Sequence, residues 1–350
     1  MNAVLTSRQR TAAALTCQAV DRVPCVPLID NSYAAGGQGV PVSECFMDPV
    51  RHAEALTASL ELHPGVDGFS INLCLADEVT LSRQRTPDGW VVNTTGGITW
   101  EVPFNDIGSV AEREIVSFDD PRLNSDDPFS AGALATLRAT PRAIRRDYGV
   151  FAGVMGPFSQ IGFLMGLDRL LLATVDDPSG LRRAIESRLP LTMDWVDQTM
   201  EYDPCAFWVG EGLATSSMIS PETYREFVLP YERIVAQRIH SWDRPCVLHI
   251  CGKLAPATLK LIPSSGADCL EADWPVDLVT ARGLMGDRVA LKGNLNTTTL
   301  VQASPETIHR LCKELLGSIG REPGFLLSSG CALGRDTPPA NVQAMAQSLV

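Results

Sequence analysis

What the chain has little of narrows it first. Basic residues are outnumbered: 29 Lys and Arg stand against 41 Asp and Glu, a net charge of -12. That balance argues against a broad basic surface for nucleic acid. No apolar run approaches the roughly 20 residues a membrane-spanning helix needs. The opening Met1-Asn2-Ala3-Val4-Leu5-Thr6-Ser7-Arg8 lacks the basic-then-apolar pattern of a secretory leader, so a cytoplasmic location is expected. No Gly-x-Gly-x-x-Gly follows a predicted strand, which weighs against a dinucleotide-binding sheet. The ten cysteines form no short-spaced framework. In a reducing compartment they are expected as free thiols, most of them small buried hydrophobes.

What is present is an ordinary globular composition, 350 residues with 45% hydrophobic and 20% charged. The patterning predicts a helix over 5–17, a short apolar strand ending at Ile29, a helix over 49–63 and a strand over 68–73. From Glu78 to Phe104 the texture changes. Val91 to Val102 reads as a β-hairpin turning at Gly96-Gly97, an insertion at about 78–105. The stretch 118–129, rich in Asp and Pro, reads as loop. Strands then alternate with helices: 150–154, 206–210, 245–250, 269–273, 289–293 and 325–329, with a last helix over 338–350. Eight β/α units predict one α/β domain over 1–350. The architecture expected is a (β/α)8 TIM barrel with an N-terminal helical segment and the inserted hairpin. An open doubly wound sheet is the alternative.

In a barrel, functional groups gather at the carboxyl ends of the strands. Val247-Leu248-His249-Ile250-Cys251-Gly252 ends one such strand. Residues two apart on a strand share a face, so His249 and Cys251 aim an imidazole and a thiol at one point. Cys331 follows the final strand, in Ser328-Ser329-Gly330-Cys331, and belongs to the same rim. A buried histidine beside a buried thiol would also explain the pair alone; the third soft ligand favours zinc with an open position. Zinc on two thiolates and one imidazole suits activation of a thiol, and hence alkyl transfer, better than hydrolysis. Glu211, Glu271 and Asp273 share the rim. Glu211 and Asp273 are the candidate catalytic carboxylates, with rim solvation or helix capping as the plain alternative. Asn294 could bond substrate or cap the next helix, and Arg22 reads as a salt-bridge partner. Gly156-Pro157-Phe158-Ser159-Gln160 reads as a rim loop.

Arg10-Thr11-Ala12-Ala13-Ala14-Leu15 with Asp21-Arg22-Val23-Pro24, Gly156-Pro157-Phe158, Ser220-Pro221 with Pro230-Tyr231, Leu291-Lys292-Gly293-Asn294-Leu295 and Thr337-Pro338-Pro339-Ala340-Asn341-Val342 together resemble the uroporphyrinogen decarboxylase superfamily, over nearly the whole chain. His249-Ile250-Cys251-Gly252 and Gly330-Cys331 are similar to its zinc branch, the methylcobamide:coenzyme M methyltransferases and related corrinoid-dependent methyltransferases. The resemblance implies zinc on His249, Cys251 and Cys331. It also implies a methyl group passing between a thiol, or a methylated ether, thioether or amine, and the cobalt of a corrinoid. No Asp-x-His-x-x-Gly stretch occurs, so the corrinoid is expected on a partner protein, with a homodimer as a further assembly. Trp208 and Trp274 could pack against substrate or corrinoid, or belong to the core. Asn31 to Gly39 stands where decarboxylases carry Arg-Gln-Ala-Gly-Arg-Tyr, and its glycines suggest a flexible lid or a substrate wall. Without those arginines porphyrin carboxylates lose their partners. A decarboxylase of a smaller substrate, using Glu211 or Asp273 as acid, is the rival reading. A non-catalytic binding subunit is another.

Overall fold

The structure, a computed structural model, describes residues 4–349 other than 73, 76, 107–110, 113, 114, 126, 127, 321 and 322. Leu73 and Val350, the ends of two predicted elements, lie outside the described residues. Eleven strands occur in chain order among the described residues. They are β1 (Gly68–Ile71), β2 (Thr80–Arg85), β3 (Gly89–Thr94), β4 (Thr99–Pro103), β5 (Ala111–Glu112), β6 (Gly149–Met155), β7 (Ala206–Gly210), β8 (Cys246–Ile250), β9 (Cys269–Ala272), β10 (Ala290–Leu295) and β11 (Phe325–Ser329).

Seven strands form one parallel sheet in the order β1-β6-β7-β8-β9-β10-β11. Every residue of β1, β7 (save Trp208), β8, β9 and β11 is buried, as expected where both faces are covered. The sheet curls around a core of its own. Val26, Phe151, Ala206, Val247, Cys269, Ala290 and Leu326 pack together and are closed off by Ala14 and Leu15 of the helix Ser7–Leu15. The larger apolar core lies between the outer face of the sheet and the surrounding helices.

The expected eighth strand is absent as a regular element. Pro24 to Ile29 does lie against both edges: Val26 N–H donates to Leu327 O at 2.9 Å, and Asp67 N–H donates to Cys25 O at 2.7 Å. Yet only one parallel bridge forms, Cys25 with Leu327. The reason is chemical: Pro24 and Pro27 have no N–H, so a continuous ladder cannot develop there. The insertion is wider than a hairpin. β3 and β4 pair antiparallel, and β2 and β5 flank them in a four-stranded sheet. Its Val92, Trp100 and Val102 join the main core, with Trp100 edge-on to Phe129 at 4.6 Å.

The segment expected as a flexible glycine loop is a helix, Asn31–Gly37. Asp30 caps it by accepting from Ser32 N–H, and Tyr33, Ala34 and Ala35 bury its inner face. Helical propensity was masked by two glycines at its end, where they are tolerated. Within the stretch predicted as loop over 118–129 the chain forms a 3₁₀ turn, Pro121–Asn124, and enters the helix Pro128–Ala139. No single helix among the described residues is long and apolar enough to cross a membrane. The bent pair Pro157–Met165 and Leu167–Asp176 reaches that length only together, at 115°.

Candidate metal centre

Three strand ends build the site. β8 carries His249 on its inner face and delivers Cys251 two residues on. Gly252 then takes φ +76°, a turn open to glycine, and the chain leaves the rim. β11 delivers Cys331 after Gly330. A Cβ at Gly330 would lie 2.5 Å from Trp274 N and 2.8 Å from Asp273 Oδ1, so only glycine lets the chain pass there. The result is a cluster whose donor atoms all lie within 4.8 Å of one another. His249 Nε2 is 3.0 Å from Cys251 Sγ and 3.8 Å from Cys331 Sγ, and the two sulfurs are 3.8 Å apart. Two sulfurs and one ring nitrogen in such proximity fit a tetrahedral ion of the zinc type with a fourth position left for a ligand.

The protons of the cluster are shared. Burial works against a charged His249, but the Cys251 and Cys331 sulfurs outweigh it and lift the imidazole to about 10. Cys331 is drawn down to about 4, first by the hydrogen bond from Cys251 and, against burial, by His249. Cys251 keeps its proton as donor in that bond. The set thus holds an anionic sulfur beside a cationic ring, a charge pattern that a divalent ion would replace.

Beneath the cluster runs a buried polar layer. Trp208 of β7 stacks on the His249 ring, with centroids 5.2 Å apart and planes inclined by 24°. Its indole N–H donates to Glu271 Oε2. The same carboxylate oxygen lies 3.2 Å from His249 Nδ1, close enough for strong attraction but off the line of a hydrogen bond. Glu271 Oε1 receives Lys292 Nζ, which also donates to Ser328 Oγ at 3.1 Å. Both Glu271 and Lys292 are fully buried. Burial pulls the Lys292 ammonium down to about 7, opposed by the sulfurs of Cys269, Cys25 and Cys331.

The other predicted residues have different surroundings. Glu211 is spent on a helix. Gly156 has no side chain to cap the helix Pro157–Met165, and Glu211 instead accepts from Phe158 N–H at 3.2 Å, Ser159 N–H at 3.0 Å and Ser159 O–H at 2.7 Å. Burial still lifts its carboxyl to about 7. Asp273 accepts from Gly252 N–H at 2.7 Å and Trp274 N–H at 2.6 Å, pinning the turn after Cys251. Asn294 donates to the backbone oxygens of Asp273 and Val276, at 3.1 and 2.6 Å. Trp274 is 54% exposed and borders an open cleft of about 410 Å³ with Asn294, Asn296 and Leu315. The structure thus brings together His249, Cys251, Cys331 and Trp208, and sets Glu211, Asp273 and Asn294 to holding backbone around them.

Sequence reasoning passed over two residues. In the sequence Lys292 reads only as part of a motif, and Glu271 only as one rim carboxylate. A signal existed: each is a lone charge inside an apolar run, and the register sets Lys292 directly beside Glu271. Asp30 is a third, buried and lifted to about 7 by that burial, with Cys331 close enough to add to the shift.

The uroporphyrinogen decarboxylase (URO-D) family model matches residues 6–349, so the chain belongs to that family. Among curated relatives, a uroporphyrinogen decarboxylase of Aromatoleum aromaticum is 37% identical over 134 residues, 38% of this chain and 37% of its own length. A methylated-thiol–coenzyme M methyltransferase of Methanosarcina mazei is 28% identical over 189 residues, 54% of this chain and 49% of its own length. The matched stretches therefore span half or less of these relatives. In fold, the chain is similar to a methyltransferase from Methanosarcina mazei, with a TM-score of 0.77 over 98% of both chains at 20% identity. A B12-independent methionine synthase from Shewanella sp. W3-18-1 follows at a TM-score of 0.54 and 11% identity, over 93% of this chain and 97% of that one.

Proposed function

We propose that this chain is a zinc-dependent methyltransferase, one cytoplasmic domain over 1–350. It would move a methyl group between a corrinoid on a partner protein and a thiol or methylated small molecule. The observation that carries this reading is the convergence of His249 Nε2, Cys251 Sγ and Cys331 Sγ at one rim. Similarity to a methylated-thiol–coenzyme M methyltransferase supports the class of chemistry. Completing the eighth position of a barrel with Pro24 to Ile29 supports the same architecture.

Bound zinc supplies Lewis acidity, which lowers the pKa of a ligated thiol or polarises the heteroatom of a methyl donor. The rest is done by the chain. Cys251 and Cys331 bring the negative charge and His249 a neutral nitrogen. Trp208 keeps the imidazole from rotating out of its plane. Asp273 holds the turn that follows Cys251, Asn294 holds the loop from Asp273 to Val276, and Glu211 fixes the start of the neighbouring helix. Trp274 and the cleft beside it are where substrate or corrinoid would approach. The same groups serve transfer in either direction.

Elemental analysis tests the site. The wild-type chain should carry zinc in stoichiometric amount, and the Cys251→Ala/Cys331→Ala double variant should carry none. Full zinc retention in the double variant overturns the assignment. A metal-independent decarboxylase, the reading favoured by similarity to the Aromatoleum aromaticum enzyme, would keep full activity in that variant. The carboxylates it would use, Glu211 and Asp273, are each already held by two backbone N–H groups.

A further inference from the structure

A buried ion pair is a poor way to stabilise a fold. Desolvating both charges consumes most of the attraction, and a well-packed apolar pair often does as well. Lys292 and Glu271 form such a pair inside the curled sheet, both with no exposed surface. Their position suggests another use. Glu271 sits on β9 between two neighbours, paired in register with His249 on β8 and with Lys292 on β10. Its Oε2 faces His249 Nδ1 and takes the Trp208 N–H, while its Oε1 is taken by Lys292. Lys292 is itself braced by Ser328 Oγ on β11 and lies 5.9 Å from the centre of the Phe151 ring on β6.

We infer that Lys292 is a positioning residue: it holds the Glu271 carboxylate against His249 Nδ1 so that Nε2 is the nitrogen presented to the metal. This rests on the metal-site reading above. Histidine ligands are generally oriented by an acceptor on the far ring nitrogen, and loss of that support weakens metal about 10–100-fold. Here the Glu271 carboxylate stands in that place, 3.2 Å from Nδ1 and buried, so it needs a counter-charge to stay both ionised and in place. Charge balance agrees. Lys292 and Glu271 cancel, which leaves the two thiolates to balance a divalent ion and the imidazole neutral. Without Lys292 the carboxylate carries an uncompensated charge beside the ring and loses the partner that fixes Oε1. Trp208 alone then restrains it from one side.

The test reads the metal, not turnover. Wild type, Lys292→Met, Lys292→Arg and the neutral double variant Glu271→Met/Lys292→Met are each loaded with Co(II) and with zinc. Competition against a chromophoric chelator gives relative zinc affinity, and absorption reports the cobalt geometry. The double variant leaves no unpaired buried charge, so it keeps the test open if Lys292→Met alone fails to fold. The expected result is an affinity about 10–100-fold weaker in Lys292→Met and in the double variant, with altered visible cobalt bands, and partial rescue by Lys292→Arg. Wild-type affinity and an unchanged cobalt spectrum in a folded double variant overturn the inference while leaving the metal site standing. A wild-type protein lacking any sulfur-to-cobalt charge-transfer band overturns the metal site, and this inference with it.

Discussion

The two ends of the parallel sheet carry similar-looking charge clusters that are built to different rules. At the amino ends of the strands, Asp67 precedes β1 and is fully buried. Arg10 and Arg22 each reach it at 2.7 Å, Cys25 N–H donates to it at 2.8 Å, and Arg10 continues to Asp21 at 2.7 Å. Two arginines meet two aspartates, and the guanidinium forks suit that geometry. At the carboxyl ends, the Lys292–Glu271 pair is balanced too, but above it two sulfurs and a ring nitrogen face one another within 4.8 Å, an anionic sulfur beside a cationic ring. The first cluster is complete as it stands. The second calls for something to be added.

The sharpest way to break the comparison is at the complete end. Replacing Asp67 with Ala takes from Arg10 and Arg22 their shared buried partner and leaves Arg10 only Asp21 as an acidic partner, a change of the kind that costs about 3–5 kcal/mol. Denaturant titration should show that loss, with zinc per folded chain unchanged. A variant of native stability that has lost its zinc would mean the two ends are not separable.

How much of this was legible beforehand follows from the same division. The recognisable motif from Arg10 to Pro24 builds the amino end, where pairing and packing constrain several neighbouring residues at once. The cluster of His249, Cys251 and Cys331 was legible for a different reason: period two on a strand fixes the face of His249 and Cys251, and counting strands set Cys331 on the same rim. The polar layer beneath was not legible, because Glu271 and Lys292 are 21 positions apart in the chain and meet only through the register of β9 with β10. The eighth strand was over-read because apolar character at Val23 to Ile29 hides two prolines that cannot donate. Glu211 reads two ways in the sequence, as a catalytic carboxylate or a helix cap, and only the uncapped helix at Gly156 gives the second reading its partners.

Glu211 therefore tests whether rim position alone implies chemistry. Its carboxyl sits near 7 in the fold against an ordinary 4.5, so the native chain holds a proton that the unfolded chain gives up between those values. Stability must fall as pH rises through that window, by roughly 3 kcal/mol at most, and flatten above it. Glu211→Gln keeps an acceptor for Phe158 and Ser159 but cannot ionise. Denaturation from about pH 4.5 to 8 should show wild type losing stability relative to the variant only across the window. Parallel curves, together with lost turnover, would return Glu211 to the catalytic set.

The smallest effect is expected at Trp208, which touches both His249 and Glu271. Trp208→Phe preserves an aromatic ring over His249 and removes the N–H that reaches Glu271 together with part of the indole. Lys292 still holds the other carboxylate oxygen, so the loss should stay near the lower bound for a hydrogen bond to a charged group, about 1.5 kcal/mol. Zinc should remain at its wild-type level and bind only a few-fold more weakly. If the indole instead serves to contact substrate or corrinoid, stability and zinc affinity will be untouched and the defect will appear in KM alone. Measuring all three on one variant separates a wall of the site from a support of its metal ligand, since a support must move affinity and a wall need not.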